Sequence, residues 1–121
     1  LIMAAKYSNI KKTRVLAKTG GRCAYCGVSL SSESLTIDHV LSKHRGGDNS
    51  VSNLLACCRS CNTAKGTKTM EQWRRFYAIK LVTGKTIFGQ EQVDYLFTRG
   101  LFPAIGASES FQFYFQYGGD Q

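Results

Sequence analysis

The 121-residue chain contains no apolar run of 18 residues, so no membrane-spanning helix and no membrane partner are expected. Its first residues lack the charged segment and long apolar stretch of a secretory leader, which leads us to expect a cytoplasmic protein. It has no internal repeat and no low-complexity tract, which excludes solenoid and array architectures. Acidic residues are scarce, eight against sixteen basic ones, and none precedes Glu33. An even number of cysteines is also missing. The five present, at 23, 26, 57, 58 and 61, form two short clusters, which argues against a disulfide framework. In a reducing compartment such thiolates bind metal instead of oxidising.

The net charge of +8 is unevenly spread. Residues 1–22 carry six basic side chains, residues 23–69 carry five against three acids, and residues 70–121 carry five of each sign. All the excess therefore lies in the first 69 residues, as expected of a surface that attracts polyanions. Residues 70–121 are neutral and hold Trp73, all seven phenylalanines and four of the six tyrosines. We accordingly expect a functional module over 1–69 and an aromatic-rich extension over 70–121 that serves packing or dimerisation. The length suits one small domain, a size at which cores often need a staple such as a metal.

Ser8 is placed to cap a basic helix over 9–19 that stops before Gly20-Gly21, with Ile10, Val15, Leu16 and Ala17 as its buried side. Residues 34–40 alternate and are β-branched, and Leu54-Leu55-Ala56 forms a second short strand. Residues 42–53, with Gly46-Gly47 and Asp48-Asn49, read as a loop. Helices follow from about Ser60 to Lys65, over 70–82 and over 90–99. Residues 111–117 alternate strictly and predict a strand whose edge must pair, within the chain or across a two-fold axis. The fold class is therefore α+β, with possible homodimers through the extension.

Two motifs carry chemistry. Cys23-x-x-Cys26 and Cys58-x-x-Cys61 offer four soft thiolates in two chelating pairs, the pattern of a structural Zn²⁺ site. The 31 residues between the pairs exceed ordinary ribbon spacing and suggest an insert anchored by the metal at both ends. Cys57 breaks the two-residue spacing to Cys61 and is read as a small buried apolar side chain. Inside and just after the insert lie Asp38-His39, Gly46-Gly47, Asn53, and Asn62-x-x-Lys65. Thr83-Gly84-Lys85-Thr86 mimics the end of a nucleotide-binding loop, but position 79 is isoleucine where that loop needs glycine.

In this ordered set, residues 9–68 resemble the HNH (His-Asn-His) endonucleases. The resemblance implies a small ββα-metal module, here zinc-stapled, in a bacterial or phage-encoded protein. It implies DNA hydrolysis leaving 3′-hydroxyl and 5′-phosphate ends, with double-stranded DNA as partner. By position, it makes His39 the general base, and a histidine titrating near neutral pH suits that role. It makes Asp38 and Asn62 ligands of one catalytic cation and Asn53 a residue that holds the loop and, through it, His39. An asparagine stands at 62 where the family name has histidine, which favours hard ions, Mg²⁺ or Mn²⁺. On a regular strand Asp38 and His39 face oppositely, so the strand must end or bulge there.

Lys11, Lys12, Arg14, Lys43, Arg45 and Lys65 are the expected nucleic-acid contacts. Lys65 lies one turn beyond Asn62 on the same helix face, and it suits either a phosphate or solvent. His44, in the glycine loop, is left outside the catalytic set. A non-catalytic zinc-ribbon binding module and a subunit of a larger nuclease complex are the alternative readings. Both explain the charge and the cysteines, but only the nuclease explains Asp38, His39 and Asn62 together.

Overall fold

The structure is a computed structural model that describes residues 7–86, 88–102 and 110–117. The described residues pack as two units, one within residues 1–67 and 113–121 and the other within 68–112.

In the first unit, helix α1 spans Asn9–Ala17. Ser8 caps it as expected, its Oγ accepting from the Lys11 amide at 3.1 Å and so occupying an otherwise orphaned donor. Only Val15 of the predicted buried side is fully buried. Ile10 is 69% exposed and Ala17 is exposed, so the helix docks along a narrow line. Lys18 is part of the attachment. Its Nζ donates to the carbonyls of Val51 and Leu54 at 2.8 and 2.7 Å, and burial lowers its pKa.

Strands β1, Thr36–His39, and β2, Leu54–Cys57, form a two-stranded antiparallel hairpin with Ile37 opposite Ala56 and His39 opposite Leu54. The core is Val15, Leu35, Ile37, Leu54 and Ala56, with Tyr7, Leu16, Leu30 and Val51 packed at its margin. Helix α2, Arg59–Lys65, leaves β2 directly, with Cys58 as its N-cap and Gly66 ending it. Two strands and this helix compose the expected ββα unit.

The second unit holds helix α3, Met70–Thr83, and helix α4, Gln90–Thr98. Thr69 and Gln72 form a reciprocal capping box at the start of α3. Trp73, Phe76, Ala78 and Ile79 of α3 and Val93 of α4 are buried, and the Arg75 guanidinium lies 3.8 Å from the Phe97 ring centre. The aromatic cluster at 73, 76 and 77 therefore packs, as its helical spacing implied. No helix among the described residues is long and apolar enough to cross a membrane.

The tail departs from expectation. Residues 111–113 have no regular secondary structure, and Tyr114–Tyr117 make a short helix, α5, where alternation predicted a strand. The tail's backbone hydrogen bonds go to the first cysteine knuckle. Tyr114 N donates to Tyr25 O at 3.2 Å and Phe115 N to Ala24 O at 2.7 Å, while Gln116 Oε1 accepts from Phe113 N at 2.8 Å. A side-chain cap and two carbonyls of the knuckle satisfy this backbone without a strand partner. Residues 113–117 thus belong with the first unit rather than the extension, and the strand edge that suggested a homodimer is absent.

Candidate active site

The two cysteine knuckles converge. The sulfurs of Cys23, Cys26, Cys58 and Cys61 all lie within 4.8 Å of one another, with Cys26 and Cys58 at 3.9 Å. Tetrahedral Zn²⁺ with Zn–S bonds near 2.3 Å requires sulfur–sulfur edges of about 3.8 Å, so the donor set fits that ion. The knuckles repeat one geometry, the Cys26 amide donating to Cys23 Sγ and the Cys61 amide to Cys58 Sγ, each at 3.5 Å. Crowding splits the thiols. A hydrogen bond from Cys61 lowers Cys23 to about 4, while burial raises Cys26 to about 11. Cys61 is raised through its bond to Cys23. Cys57 stands apart, buried, with its Sγ 3.4 Å from Thr36 Oγ1 and its thiol pushed up by burial.

Asp38, His39 and Asn62 line one cavity of about 250 Å³, together with Tyr7, Ile37, Ser42, Lys43, His44, Asn49 and Thr67. β1 stops at His39 and the chain bends at Val40, which is how adjacent residues reach one site. Asp38 is buried, and two donors meet its Oδ2, the Tyr25 hydroxyl at 2.6 Å and Lys65 Nζ at 3.1 Å. Asn62 Nδ2 donates to Thr36 Oγ1 at 3.0 Å and to Ile37 O at 3.4 Å. Each side chain thus spends one polar atom on the scaffold. Oδ1 of each has no protein donor among the described residues, so the pair offers two hard oxygens to a cation.

His39 is half-buried, and its Nε2 lies 2.8 Å from Asn49 Oδ1. Asn49 is carried by the 41–53 loop, which Asn53 closes. The Asn53 amide donates to Leu41 O at 3.1 Å and Asp48 O at 2.8 Å, and its Oδ1 accepts from Leu41 N at 2.9 Å. The double glycine has a steric cause. Gly46 sits at φ +97°, and a Cβ on Gly47 would fall 1.7 Å from Leu41 O. Lys11 adds a tie from α1, its Nζ donating to Asn49 O at 2.7 Å.

Among the expected nucleic-acid contacts, Lys43 borders the cavity and Arg14 is exposed. Arg45 is exposed with its Nε on Thr67 O at 3.0 Å, and Lys12 lines a separate surface cavity beside Leu16 and Leu35. Lys65 requires correction. It is fully buried, and besides pairing with Asp38 it donates to His39 O at 2.9 Å, so it meets neither phosphate nor solvent. Spacing along α2 located it correctly, but β1 covers that face.

Three contributors escaped sequence reasoning. Asn49 lay in a stretch read only as a loop. His44, outside the expected catalytic set, borders the cavity. Tyr25 sat between two cysteines, where nothing in the sequence signals a partner thirteen residues away. Burial, followed by the charge of Asp38, holds the Tyr25 hydroxyl well above its ordinary pKa, so it remains a donor.

A hairpin and helix joined by a four-cysteine cluster, with an aspartate, a histidine and an asparagine gathered at the end of the first strand, define a zinc-knuckle ββα module. Residues 23–77 match the model of the HNH endonuclease family. The chain is 32% identical over 65 residues to the CRISPR-associated endonuclease Cas9 of Corynebacterium diphtheriae, covering 53% of this chain and 6% of that protein. It is 28% identical over 83 residues to the Cas9 of Actinomyces naeslundii, covering 68% of this chain and 8% of that protein. The crystal structure of the Type II-C Cas9 enzyme from Actinomyces naeslundii matches with a TM-score of 0.50 and 25% identity, over 72% of this chain and 11% of that one. The chain thus spans less than a tenth of the length of either curated relative.

Proposed function

We propose that the module is a metal-dependent DNA endonuclease that hydrolyses phosphodiester bonds, with His39 as general base and Asp38 and Asn62 as ligands of one divalent cation, Mg²⁺ or Mn²⁺. The observation that carries this reading is the meeting of these three side chains in one cavity, each tethered by one polar atom. With Nε2 donating to Asn49 Oδ1, the neutral imidazole of His39 keeps its lone pair on Nδ1, where it takes a proton from the attacking water. Asn49 fixes that tautomer, and Asn53 fixes Asn49 through the loop. The cation, when bound, neutralises charge on the phosphate and stabilises the leaving oxygen. Cys23, Cys26, Cys58 and Cys61 hold a closed structural Zn²⁺ that contributes to folding and not to chemistry.

Double-stranded DNA in the cytoplasm of a bacterial cell is the proposed substrate, and the names of the Cas9 relatives support a nuclease. Lys43 at the cavity and the basic side chains of α1 would meet its phosphates. A second reading, a subunit of a larger nuclease assembly, is favoured by the small share of the Cas9 relatives that the chain spans. Nicking of supercoiled plasmid by the purified chain in Mg²⁺ or Mn²⁺ separates the two. The endonuclease reading expects cleavage by wild type and none by His39→Ala. An inert wild type that still binds DNA would favour the non-catalytic or assembly-dependent alternative.

A further inference from the structure

We propose that Tyr25, inside the first zinc knuckle, is a positioning residue that decides which oxygen of Asp38 is presented to the catalytic cation. This inference rests on the metal assignment proposed for Asp38. Tyr25 belongs to the sequence between Cys23 and Cys26, so the knuckle turn sets where its ring goes. The ring is 2% exposed, and its hydroxyl reaches across to Asp38 Oδ2 at 2.6 Å, the shortest hydrogen bond to that carboxylate. With Lys65 Nζ on the same oxygen, Oδ2 is fully engaged and Oδ1 is left as a single, fixed donor. A carboxylate bound at one oxygen serves a small cation that demands octahedral geometry and retains several waters.

The tail completes the device. Phe113 meets the Tyr25 ring edge-on with ring centres 4.9 Å apart, and Phe115 does so at 6.1 Å. Phe113 is fully buried, and the Phe115 and Tyr114 amides bind the carbonyls of Ala24 and Tyr25. Tyr114 packs on Gly27, where a Cβ would sit 3.2 Å from its ring. The knuckle therefore aims Tyr25 from one side and the tail clamps it from the other. This explains why a tail beyond the family segment 23–77 returns to the first knuckle instead of pairing as a strand. Residues around metal ligands that fix their orientation typically change metal affinity by about ten- to a hundredfold when removed.

The test is Mn²⁺ titration of the zinc-loaded full chain, followed by electron paramagnetic resonance, for wild type and Tyr25→Phe. Zinc content and thermal stability are measured alongside. The expected result is Mn²⁺ affinity weakened about tenfold in Tyr25→Phe at unchanged zinc content. In plasmid nicking, half-saturation by Mn²⁺ should rise similarly while the rate at saturating Mn²⁺ returns to the wild-type value. Mere structural damage would lower that rate and leave half-saturation in place. Equal Mn²⁺ affinity in the two proteins would overturn the inference while leaving the metal assignment standing. A wild type that binds no Mn²⁺ would overturn the metal assignment and this inference with it. If Tyr25→Phe loses zinc, Phe113→Leu loosens the same ring without touching the hydroxyl. It should weaken Mn²⁺ binding with zinc retained, and an unchanged affinity there would equally overturn the inference.

Discussion

Lys65 Nζ stands 3.1 Å from Asp38 Oδ2 in a pair whose side chains are 0% and 8% exposed. A buried carboxylate beside a buried ammonium is tolerable only while both remain, because either alone is an uncompensated charge away from water. Lys65→Met should therefore cost about 3–5 kcal/mol of stability. Adding Asp38→Asn should recover a substantial part of that loss. Urea denaturation of the zinc-loaded proteins measures both, and a loss below about 1 kcal/mol, the size of an exposed pair, would contradict the burial of Lys65.

Asn49→Ala removes the acceptor on His39 Nε2 and touches no core residue. It should slow plasmid nicking at least about tenfold, yet less than the roughly 10²–10⁴-fold expected for losing the base itself in His39→Ala. Zinc content and melting temperature should stay at wild-type values. Nicking at the wild-type rate would show that Asn49 does not hold the imidazole.

Gly47→Ala should be more damaging than its size suggests. The added methyl would lie 1.7 Å from Leu41 O and 2.9 Å from Asn53 Nδ2, so the loop must move and the Asn53 clamp must open. Gly46→Ala meets nothing within 4 Å but carries the strain of φ +97°. The two variants should differ in nicking, with Gly47→Ala the slower, while both keep zinc.

Cys26→Ser leaves three thiolates where four are needed. Elemental analysis should find about one Zn²⁺ per wild-type chain and a loss in the variant, with the far-ultraviolet circular dichroism of an unfolded or aggregated chain. Well-folded wild-type protein free of zinc would contradict the structural metal.

DNA affinity should fall steeply with salt, the slope shrinking by about 0.9 for each phosphate contact removed. Arg14→Ala and Lys43→Ala are the informative substitutions. Removing residues 1–18 would be a poor test, because Val15 lies in the core and Lys18 holds two carbonyls of the hairpin region. Filter binding of duplex DNA from 50 to 200 mM salt gives the slopes. Slopes identical to wild type in both variants would place the DNA surface elsewhere.

Local chemistry was legible without coordinates. The cap at Ser8, the hairpin strands, the helices after Cys58 and Thr69, and the clustering of Cys23, Cys26, Cys58 and Cys61 all follow from spacing that acts within a few residues or from the chelate requirement of one ion. Asp38, His39 and Asn62, read in order along the sequence, likewise meet at one cavity, while Asn53 closes the neighbouring loop from outside that lining.

Tertiary structure alone decided what each flexible or ambiguous side chain meets. Lys65 has the same position on α2 whether it faces water or β1, and only the packing of that strand turns it inward to Asp38. Strict alternation over 111–117 predicts a strand only if a strand partner is at hand, and among the described residues none pairs with it. The carbonyls of Ala24 and Tyr25, supplied by a knuckle nearly ninety residues away, settled it as a short helix. The Tyr25 hydroxyl could have reached water as easily as Asp38. Periodicity reports which face a residue occupies, but the partner on that face comes from another part of the chain, and only the folded core brings the two together.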